Sequence, residues 1–229
     1  MSEEVRVNLP GPGATPTRLL ARTLTLVAAV CGAVIVAAYH ATFTAIQENQ
    51  RVVLERAVLG VVPGSNRMQP FALGADGART GADLRAGEVR VFGAYDAAGK
   101  LRGIALEGIA RGYADVVQLL YGYDPACQCI VGMRVVQMRE TPGIGDKVRS
   151  DASFLENFRG LEARVTKSGE ALAHAITTVR HGAKSEPWQI DAISGATVTS
   201  RAVGRAVNDS AQTAIPRLLR YRRAFEESP

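Results

Sequence analysis

An uncharged apolar stretch near the N-terminus most limits what this chain can fold into. From Thr23 to Gln47 the sequence has no Asp, Glu, Lys or Arg. A helix that crosses a bilayer needs about 20 mostly apolar residues, because all its backbone polar groups must be satisfied inside the helix. We therefore predict a transmembrane anchor at residues 23–47, preceded by a short N-terminal segment at residues 1–22.

The alternative to an anchor is a signal peptide that is cleaved off. The apolar stretch is longer than the apolar region of most signal peptides, and Tyr39 and His40 interrupt the small-residue pattern of a cleavage site. A retained anchor is therefore favoured. Arg18 and Arg22 precede the stretch and Glu48 follows it, so the positive-inside rule predicts a cytoplasmic N-terminus. The main domain would then be periplasmic if the membrane is a bacterial inner membrane.

Composition argues against two kinds of binding site. The chain has 229 residues, which suffice for one ordinary domain besides the anchor. The net charge is +5, but no basic face with interleaved aromatic residues occurs, so nucleic acid is not an expected partner. His174 and His181 have no cysteine or carboxylate grouped with them, so no metal site is expected.

The three cysteines are too few for a disulfide scaffold. Cys31 lies in the apolar stretch and is expected to act there as a small apolar side chain. Cys127 and Cys129 are separated by one residue. In an oxidising compartment they could form a disulfide, although so small a ring is strained, or they could remain two free thiols. The sequence leaves both states open.

Residues 48–110 are predicted to be a lead region of helix and strands. Apolar spacing extends a helix through Glu48–Leu59, and Val62-Pro63-Gly64 ends it. Residues 76–87 are rich in Gly and Ala and are predicted to form a loop. Farther along the chain, Ala171–Val179 could be a strand or a helix.

The elements after this loop predict an α+β fold in which helices pack on antiparallel strands. Four strand-like runs are joined by turn sequences into two hairpins, and they are Val89–Tyr95, Leu101–Leu106, Val116–Tyr123 and Ile130–Val136. Helices are predicted at Ser153–Phe158 and Val198–Leu219, the second with an apolar face that runs from Val203 to Ala214. We place the main domain at residues 111–215 and a basic C-terminal tail at residues 216–229.

The stretch Asp191-Ala192-Ile193-Ser194-Gly195-Ala196-Thr197-Val198-Thr199-Ser200 opens this last helix. A helix N-terminus has unpaired backbone N–H groups and the positive end of the helix dipole, so it favours phosphate. Small residues around Gly195 allow another molecule to approach the backbone closely. The hydroxyls of Thr197, Thr199 and Ser200 include whatever caps the helix. On chemistry alone, the stretch is either a phosphate site or an ordinary capped helix start.

The motif Asp191-x-x-Ser194-Gly195-Ala196-Thr197 resembles the flavinylation motif of the FMN-binding family. Its members include the G subunit of the Rnf (Rsx) ion-translocating electron-transport complex and the C subunit of the Na⁺-translocating NADH:quinone reductase. The resemblance implies that FMN is attached covalently through its phosphate to the Thr197 hydroxyl by a dedicated flavin transferase. Asp191 matches the acidic position of the motif, Ser194 its hydroxyl position, and Gly195 and Ala196 its small positions.

The run Glu140-Thr141-Pro142-Gly143-Ile144-Gly145-Asp146-Lys147 is similar to a second motif of this family, with Ile144 in place of the commoner Leu. Pro-Gly predicts a tight turn in which Gly143 has a positive φ. Such a loop could lie against a flat ring or be a simple connection. With the resemblance, which covers about residues 112–214, we expect Glu140, Thr141 and Gly143 on the ring side. Lys147 or Arg201 is expected near the phosphate.

The resemblance implies a membrane-anchored electron-transfer subunit with bound FMN. Its partners would be the other membrane subunits of a complex that couples NADH/ferredoxin electron transfer to ion movement. No independent substrate chemistry is expected, because no Ser-His-Asp or Cys-His set can be assembled from the sequence. Two alternatives are a scaffold or sensor of the same fold without a working covalent flavin, and an enzyme with a substrate of its own.

Overall fold

A computed structural model describes residues 17–81 and 83–226, except for the side chain of Gln50. The described chain divides into two units, with the boundary between Arg51 and Val52. The first helix, α1 (Thr17–Val61), runs through this boundary and ends where Val62-Pro63-Gly64 was predicted to stop it. Within the described residues, α1 is the one helix that is long and apolar enough to cross a membrane.

The N-terminal unit has the properties that a bilayer requires of a helix. None of the most apolar window of α1 is buried, and its large side chains, such as Leu24 and Ile35, are about two-thirds exposed. The Thr25 and Thr42 hydroxyls donate to the carbonyls of Ala21 and Ala38, each at 2.8 Å. Since these polar groups are satisfied within the helix, they do not oppose burial in lipid.

The second unit is built on a seven-stranded antiparallel sheet. Its strands are β1 (Arg67–Leu73), β2 (Ala78–Thr80), β3 (Val89–Tyr95), β4 (Leu101–Arg111), β5 (Val116–Asp124), β6 (Cys129–Gln137) and β7 (Leu161–Glu162). The spatial order is β2-β1-β3-β4-β5-β6-β7. The two predicted hairpins are the centre of this sheet. At the first turn, Asp96 Oδ1 accepts hydrogen bonds from the backbone N–H groups of Ala98 and Lys100, both at 3.0 Å.

The helices and a second, smaller sheet complete this unit. The helices are a 3₁₀ helix (Gly145–Arg149), α2 (Ala152–Glu156), α3 (Thr197–Arg220) and α4 (Arg222–Glu226), and the small sheet pairs β8 (Thr177–Val179) with β9 (Gln189–Asp191). The α+β class is confirmed. The structure differs from the prediction in several details. The strands β1 and β7, the 3₁₀ helix and α4 were not predicted, β2 lies in the predicted loop 76–87, and β8 and β9 are parallel.

Helices cover both faces of the large sheet. On one face α3 buries the predicted apolar side, including Val203 and Val207, against strand residues such as Tyr121. On the opposite face the last turns of α1 bury Val58 and Val61 together with Leu120. Successive residues of a strand point to opposite faces, so Leu120 and Tyr121 serve different layers. The core therefore has two halves separated by the sheet.

The end of the chain is part of the core. Phe225 in α4 is buried, and its ring centroid lies 4.7 Å from that of Phe71 in β1. The Tyr95 hydroxyl donates to the Phe225 carbonyl at 2.8 Å. The predicted tail at residues 216–229 therefore includes a side chain of the core, Phe225. Residues 227–229 lie outside the described part. The predicted boundary between the lead region and the main domain, at residue 110, falls inside the large sheet. Strands on both sides of this residue belong to that sheet, and β4 itself ends at Arg111.

The turn between β5 and β6 contains the two neighbouring cysteines. Cys127 and Cys129 form a disulfide, which is one of the two states that the sequence left open. Gln128 between them has a φ of 53°. Its side-chain oxygen accepts from the Val165 N–H at 3.1 Å, and its carbonyl accepts from the Ala163 N–H at 3.0 Å. The turn thereby holds residues 163–165 against the end of the sheet.

Candidate functional site

A cavity of about 440 Å³ lies where the two sequence motifs meet. Its walls are formed by Tyr113, Glu140, Thr141, Ile144, Gly145, Gly195, Ala196, Thr197, Val198 and Thr199. The residues come from three segments: the β4–β5 turn, the loop after β6, and the first turn of α3. This volume falls within the range of about 300–1,000 Å³ that is usual for small-molecule sites.

The first turn of α3 is not capped as the sequence suggested. The N-cap residue is Ala196, and no side chain in the described residues caps it. The Ser200 hydroxyl accepts from the Ile193 N–H at 3.1 Å and donates to the Ala196 carbonyl at 2.9 Å. Thr199 is also engaged, through its hydroxyl, with Glu140. The expectation that one of these hydroxyls caps the helix was wrong, because α3 already begins at Thr197 and all three hydroxyl residues lie inside it.

Thr197 differs from its neighbours. It is the first residue of α3, it is half-buried on the cavity wall, and its hydroxyl has no hydrogen-bond partner among the described residues. The first backbone N–H groups of a helix lack intrahelical acceptors, and here the first turn has no acidic residue. A residue with a free hydroxyl therefore lies on the cavity wall at the N-terminal end of α3, where free N–H groups and the positive end of the helix dipole favour an anion.

Glu140 holds the three wall segments together. Its Oε2 accepts from the Thr199 hydroxyl at 2.9 Å, and its Oε1 accepts from the Ala114 N–H at 3.2 Å. A Cβ on Gly145 would lie 2.7 Å from Oε2, and a Cβ on Gly112 would clash with Oε1. A side chain at either position would also meet less movable atoms, since the added Cβ would lie 2.9 Å from the Asp115 carbonyl oxygen at Gly112 and 2.9 Å from the Glu140 Cβ at Gly145.

The other predicted residues of this loop take different places. Thr141 lies on the cavity wall, and its carbonyl accepts from the N–H groups of Ile144 and Gly145 at 3.2 and 3.1 Å. Gly143 has the predicted positive φ, at 75°, but is not on the wall. Lys147 and Arg201 are exposed and do not line the cavity either. Among the described residues, no Lys or Arg lines it.

Asp191 and Ser194 line a neighbouring hollow of about 210 Å³ instead. Asp191 Oδ1 accepts from the Gly182 N–H at 2.7 Å, and Oδ2 lies 3.4 Å from His181 Nδ1. The buried Asn157 side chain bonds both backbone groups of Asp191, at 3.0 and 3.3 Å. Asp191 therefore fixes the chain that enters the motif. Sequence reasoning missed Asn157 and His181, since neither belongs to a recognisable pattern with Asp191.

The cavity wall combines an anion-binding end with an apolar surface. Tyr113, Ile144 and Val198 are 72%, 52% and 50% exposed, which is unusual for large apolar side chains grouped around one opening. A ligand with a flat apolar ring and a phosphate would cover these side chains and approach the N–H groups of α3. The residues present therefore fit FMN.

Residues 112–212 match the sequence model of the FMN-binding domain. Over this segment, which is less than half of the chain, the protein is similar to the FMN-binding family. Among curated proteins, the G subunit of the ion-translocating oxidoreductase complex of Cronobacter sakazakii is 35% identical over 47% of this chain and 48% of its own length. The Pasteurella multocida protein of the same name is 28% identical over 85% of this chain and 92% of its own length. In most of these alignments the chain spans about half the length of the curated relative that it matches.

Two solved structures share the fold. Shewanella oneidensis NqrC superposes with a TM-score of 0.60 at 23% identity, over 78% of this chain and 96% of that one. The C subunit of the Na⁺-translocating NADH-quinone reductase of Parabacteroides distasonis gives a TM-score of 0.56 at 18% identity, over 80% and 96%. At sequence identities of 23% and 18%, the structural similarity establishes the fold of the domain and no more.

Proposed function

We propose that this chain is a membrane-anchored electron-transfer subunit of an ion-translocating oxidoreductase complex, and that it carries FMN as a phosphoester of Thr197. The observation that carries the proposal is the state of the three hydroxyls at the start of α3. The Ser200 and Thr199 hydroxyls are hydrogen-bonded to protein groups, whereas Thr197 lines the cavity and its hydroxyl has no partner among the described residues.

The cavity residues would divide the binding of FMN between them. The N–H groups at the start of α3 would stabilise the charge of the phosphodiester. Tyr113, Ile144 and Val198 would cover the ring system, and Glu140 would keep the loop and the helix in register. When bound, FMN supplies one- and two-electron transfer, while the protein sets its orientation and surroundings. We propose no substrate chemistry beyond this.

The membrane setting supports a role within a larger complex. The names of the relatives describe such a complex, so its other membrane subunits are the proposed partners, and a flavin transferase is the proposed maturation enzyme. Arg18 and Arg22 before the apolar stretch support a cytoplasmic N-terminus by the positive-inside rule. The FMN-binding domain would then face the periplasm from a single-pass anchor in the inner membrane.

Fluorescence in a denaturing gel tests the attachment. The full chain, produced in cells that contain a flavin transferase, is expected to give a flavin-fluorescent band that Thr197→Ala abolishes. Thr197→Ser retains a hydroxyl at this position and is expected to retain part of the signal. Thr213→Ala is the matched control, because Thr213 is an exposed threonine farther along α3 whose hydroxyl bonds the Asp209 carbonyl.

Each outcome has a definite meaning. A dark wild-type band would refute the covalent attachment and favour the scaffold or sensor alternative. A bright Thr197→Ala band would move the attachment to another residue. Loss of fluorescence in Thr213→Ala would show that the assay reports general damage to α3 instead of the loss of one hydroxyl.

A further inference from the structure

The surface around the cavity carries an unbalanced charge. The three wall segments, residues 111–116, 139–149 and 195–205, contain six basic residues, all exposed: Arg111, Arg139, Lys147, Arg149, Arg201 and Arg205. Within the described part of the chain, none of the six has a carboxylate in an ion pair. In the segments that line the candidate cofactor site, exposed basic residues therefore outnumber acidic residues.

The carboxylates of the same segments do not offset this charge at the surface. They are Asp115, Glu140 and Asp146, and all three are half-buried. Asp115 Oδ1 accepts from the Val116 N–H at 2.7 Å, and both oxygens of Glu140 are hydrogen-bonded within the cavity wall. Asp146 has one oxygen that is buried. The acidic groups are thus half-buried, and those of Asp115 and Glu140 are hydrogen-bonded within the protein, while the basic groups are exposed.

Two of the basic residues are placed by contacts. Arg201 lies one helical turn after Thr197 on α3, and Arg205 lies one turn farther. Arg205 Nη2 donates to the Arg111 carbonyl at 2.9 Å, which joins α3 to the end of β4 beside Gly112 and Tyr113. The basic row on α3 therefore continues from the cavity wall and reaches the rim on the β4–β5 turn.

An apolar centre lies inside this basic surface. Tyr113, Ile144 and Val198 are at least half exposed, and Val116, the neighbour of Asp115, is 42% exposed. Weak, transient electron-transfer complexes use small interfaces, and charge complementarity around them raises the association rate. An exposed basic surface beside a cofactor cavity is suited to such an encounter with an acidic protein.

We infer that this surface docks an acidic one-electron carrier protein, which exchanges electrons with the cofactor at the cavity. The inference rests on the proposed function, since it names the kind of partner that the site would use. In each encounter one electron lost by the donor is gained by the acceptor, and no bond between them is made or broken. The basic surface supplies orientation and encounter rate.

Two small haem proteins of opposite charge test the inference. The full chain is placed in nanodiscs of uncharged lipid, and acidic cytochrome b5 is compared with basic cytochrome c. Binding of each to the flavin-free Thr197→Ala protein is measured by titration. For the flavin-loaded wild type, reduced beforehand, oxidation by two equivalents of ferric haem protein is followed by stopped flow.

Cytochrome b5 is expected to bind the flavin-free protein and to oxidise the loaded protein faster than cytochrome c does at low ionic strength. Its rate is expected to fall by roughly tenfold or more between about 0.01 and 0.2 M salt, because screening shortens the reach of the surface charge. The double substitution Arg139→Glu and Arg201→Glu is expected to slow the oxidation by cytochrome b5 several-fold at low salt. Arg223→Glu, an exposed arginine of α4 outside the three segments, is the matched control and is expected to leave it unchanged.

Other results would overturn the inference. Equal or better binding of cytochrome c, or equal effects of the double variant and the control, would exclude an acidic partner at this surface. Displacement of cytochrome b5 by vesicles of anionic lipid at matched charge would assign the surface to a membrane instead. If the wild type carries no covalent flavin but the flavin-free protein still binds cytochrome b5 in a salt-dependent way, the proposed function fails while the docking surface stands.

Discussion

At the scale of single residues, the site depends on which hydrogen bonds its hydroxyl and carboxylate groups make. Thr199 and Ser200 lie within the first turn of α3, and their hydroxyls bond Glu140 and the chain before the helix. A carboxylate that accepts several hydrogen bonds and ties three segments together makes a larger contribution than a surface ion pair. Glu140 is therefore the residue on which the shape of the cavity depends most.

Glu140→Ala is expected to lower the free energy of unfolding by about 1–3 kcal/mol, because it removes charge-assisted hydrogen bonds to Thr199 and Ala114. Glu140→Gln is expected to cost less, since its oxygen can still accept from the backbone N–H and its NH₂ group can donate to the Thr199 hydroxyl oxygen. Chemical denaturation of the flavin-free protein measures both changes, and in-gel fluorescence is expected to follow the same order.

Glu156→Ala is the control for this comparison. Glu156 is an exposed glutamate of α2 whose ion pair with Arg159 is on the surface, so its removal is expected to change stability by less than about 0.5 kcal/mol. If Glu140→Ala were no more destabilising than Glu156→Ala, the carboxylate would not hold the wall segments together.

Sequence analysis predicted both motifs of the site but not the bonds between them. Positive φ at Gly143 followed from the Pro-Gly pair, because turn chemistry is local. The bond between Glu140 and Thr199 joins residues 59 positions apart, and nothing local to either signals the other. The same holds for Asn157 and Asp191, whose hydrogen bond joins residues 34 positions apart. Long-range partners of this kind are set by packing.

At the scale of elements, local patterns also explain which predictions were right. The two hairpins of the sheet have alternating runs and turn residues within one short stretch, and both were found. Strand β1 pairs with β3 and β2, and its own sequence contains Pro70, so the pattern alone argued against a strand. The three-residue strands β8 and β9 are too short for an alternation to be recognised.

The packing of α1 on the sheet predicts a specific sensitivity to small side chains. A Cβ on Gly122 of β5 would clash with the Val61 carbonyl, and a Cβ on Gly132 of β6 would lie 2.7 Å from the same oxygen. Gly122→Ala is therefore expected to destabilise the domain by about 1–3 kcal/mol or more, because the helix end must move away from the sheet. Thermal unfolding followed by circular dichroism measures the change.

Gly77→Ala is the matched substitution in open space. Nothing lies within 4 Å of its added Cβ, and its φ is not positive, so it is expected to be neutral or slightly stabilising. Equal melting temperatures for Gly122→Ala and Gly77→Ala would show that the end of α1 does not pack closely on β5.

At the scale of the whole molecule, the folding unit is larger than the segment that matches the family. The match covers residues 112–212, whereas the sheet begins at Arg67 and the core ends at Phe225. The predicted boundary near residue 110 followed the extent of the resemblance, and a resemblance in motifs does not mark the edge of a core. We propose that the compact domain starts near Val52, where the second unit begins.

Buried tyrosines link the stability of this domain to alkaline pH. Burial raises the pKa of Tyr95 to about 12, and burial also raises the pKa of Tyr121 and of Tyr123 above the ordinary value. In the unfolded chain these phenols ionise near pH 10. Because the folded-state pKa is the higher one, their contribution to stability is complete below about pH 10 and is lost as the pH rises towards the folded-state pKa.

Removing the hydroxyl oxygen of Tyr123 tests the link between phenol ionisation and alkaline unfolding. Its hydroxyl is buried without a hydrogen-bond partner among the described residues, so Tyr123→Phe is expected to cost nothing at pH 7 and to move alkaline unfolding to higher pH. Tyr113→Phe, at a 72% exposed position, is expected to leave the midpoint unchanged. Phenolate absorbance and circular dichroism, recorded together against pH, measure both. If Tyr123→Phe unfolded at the same alkaline pH as the wild type, ionisation of the Tyr123 phenol would not drive alkaline unfolding. Another group would then be responsible.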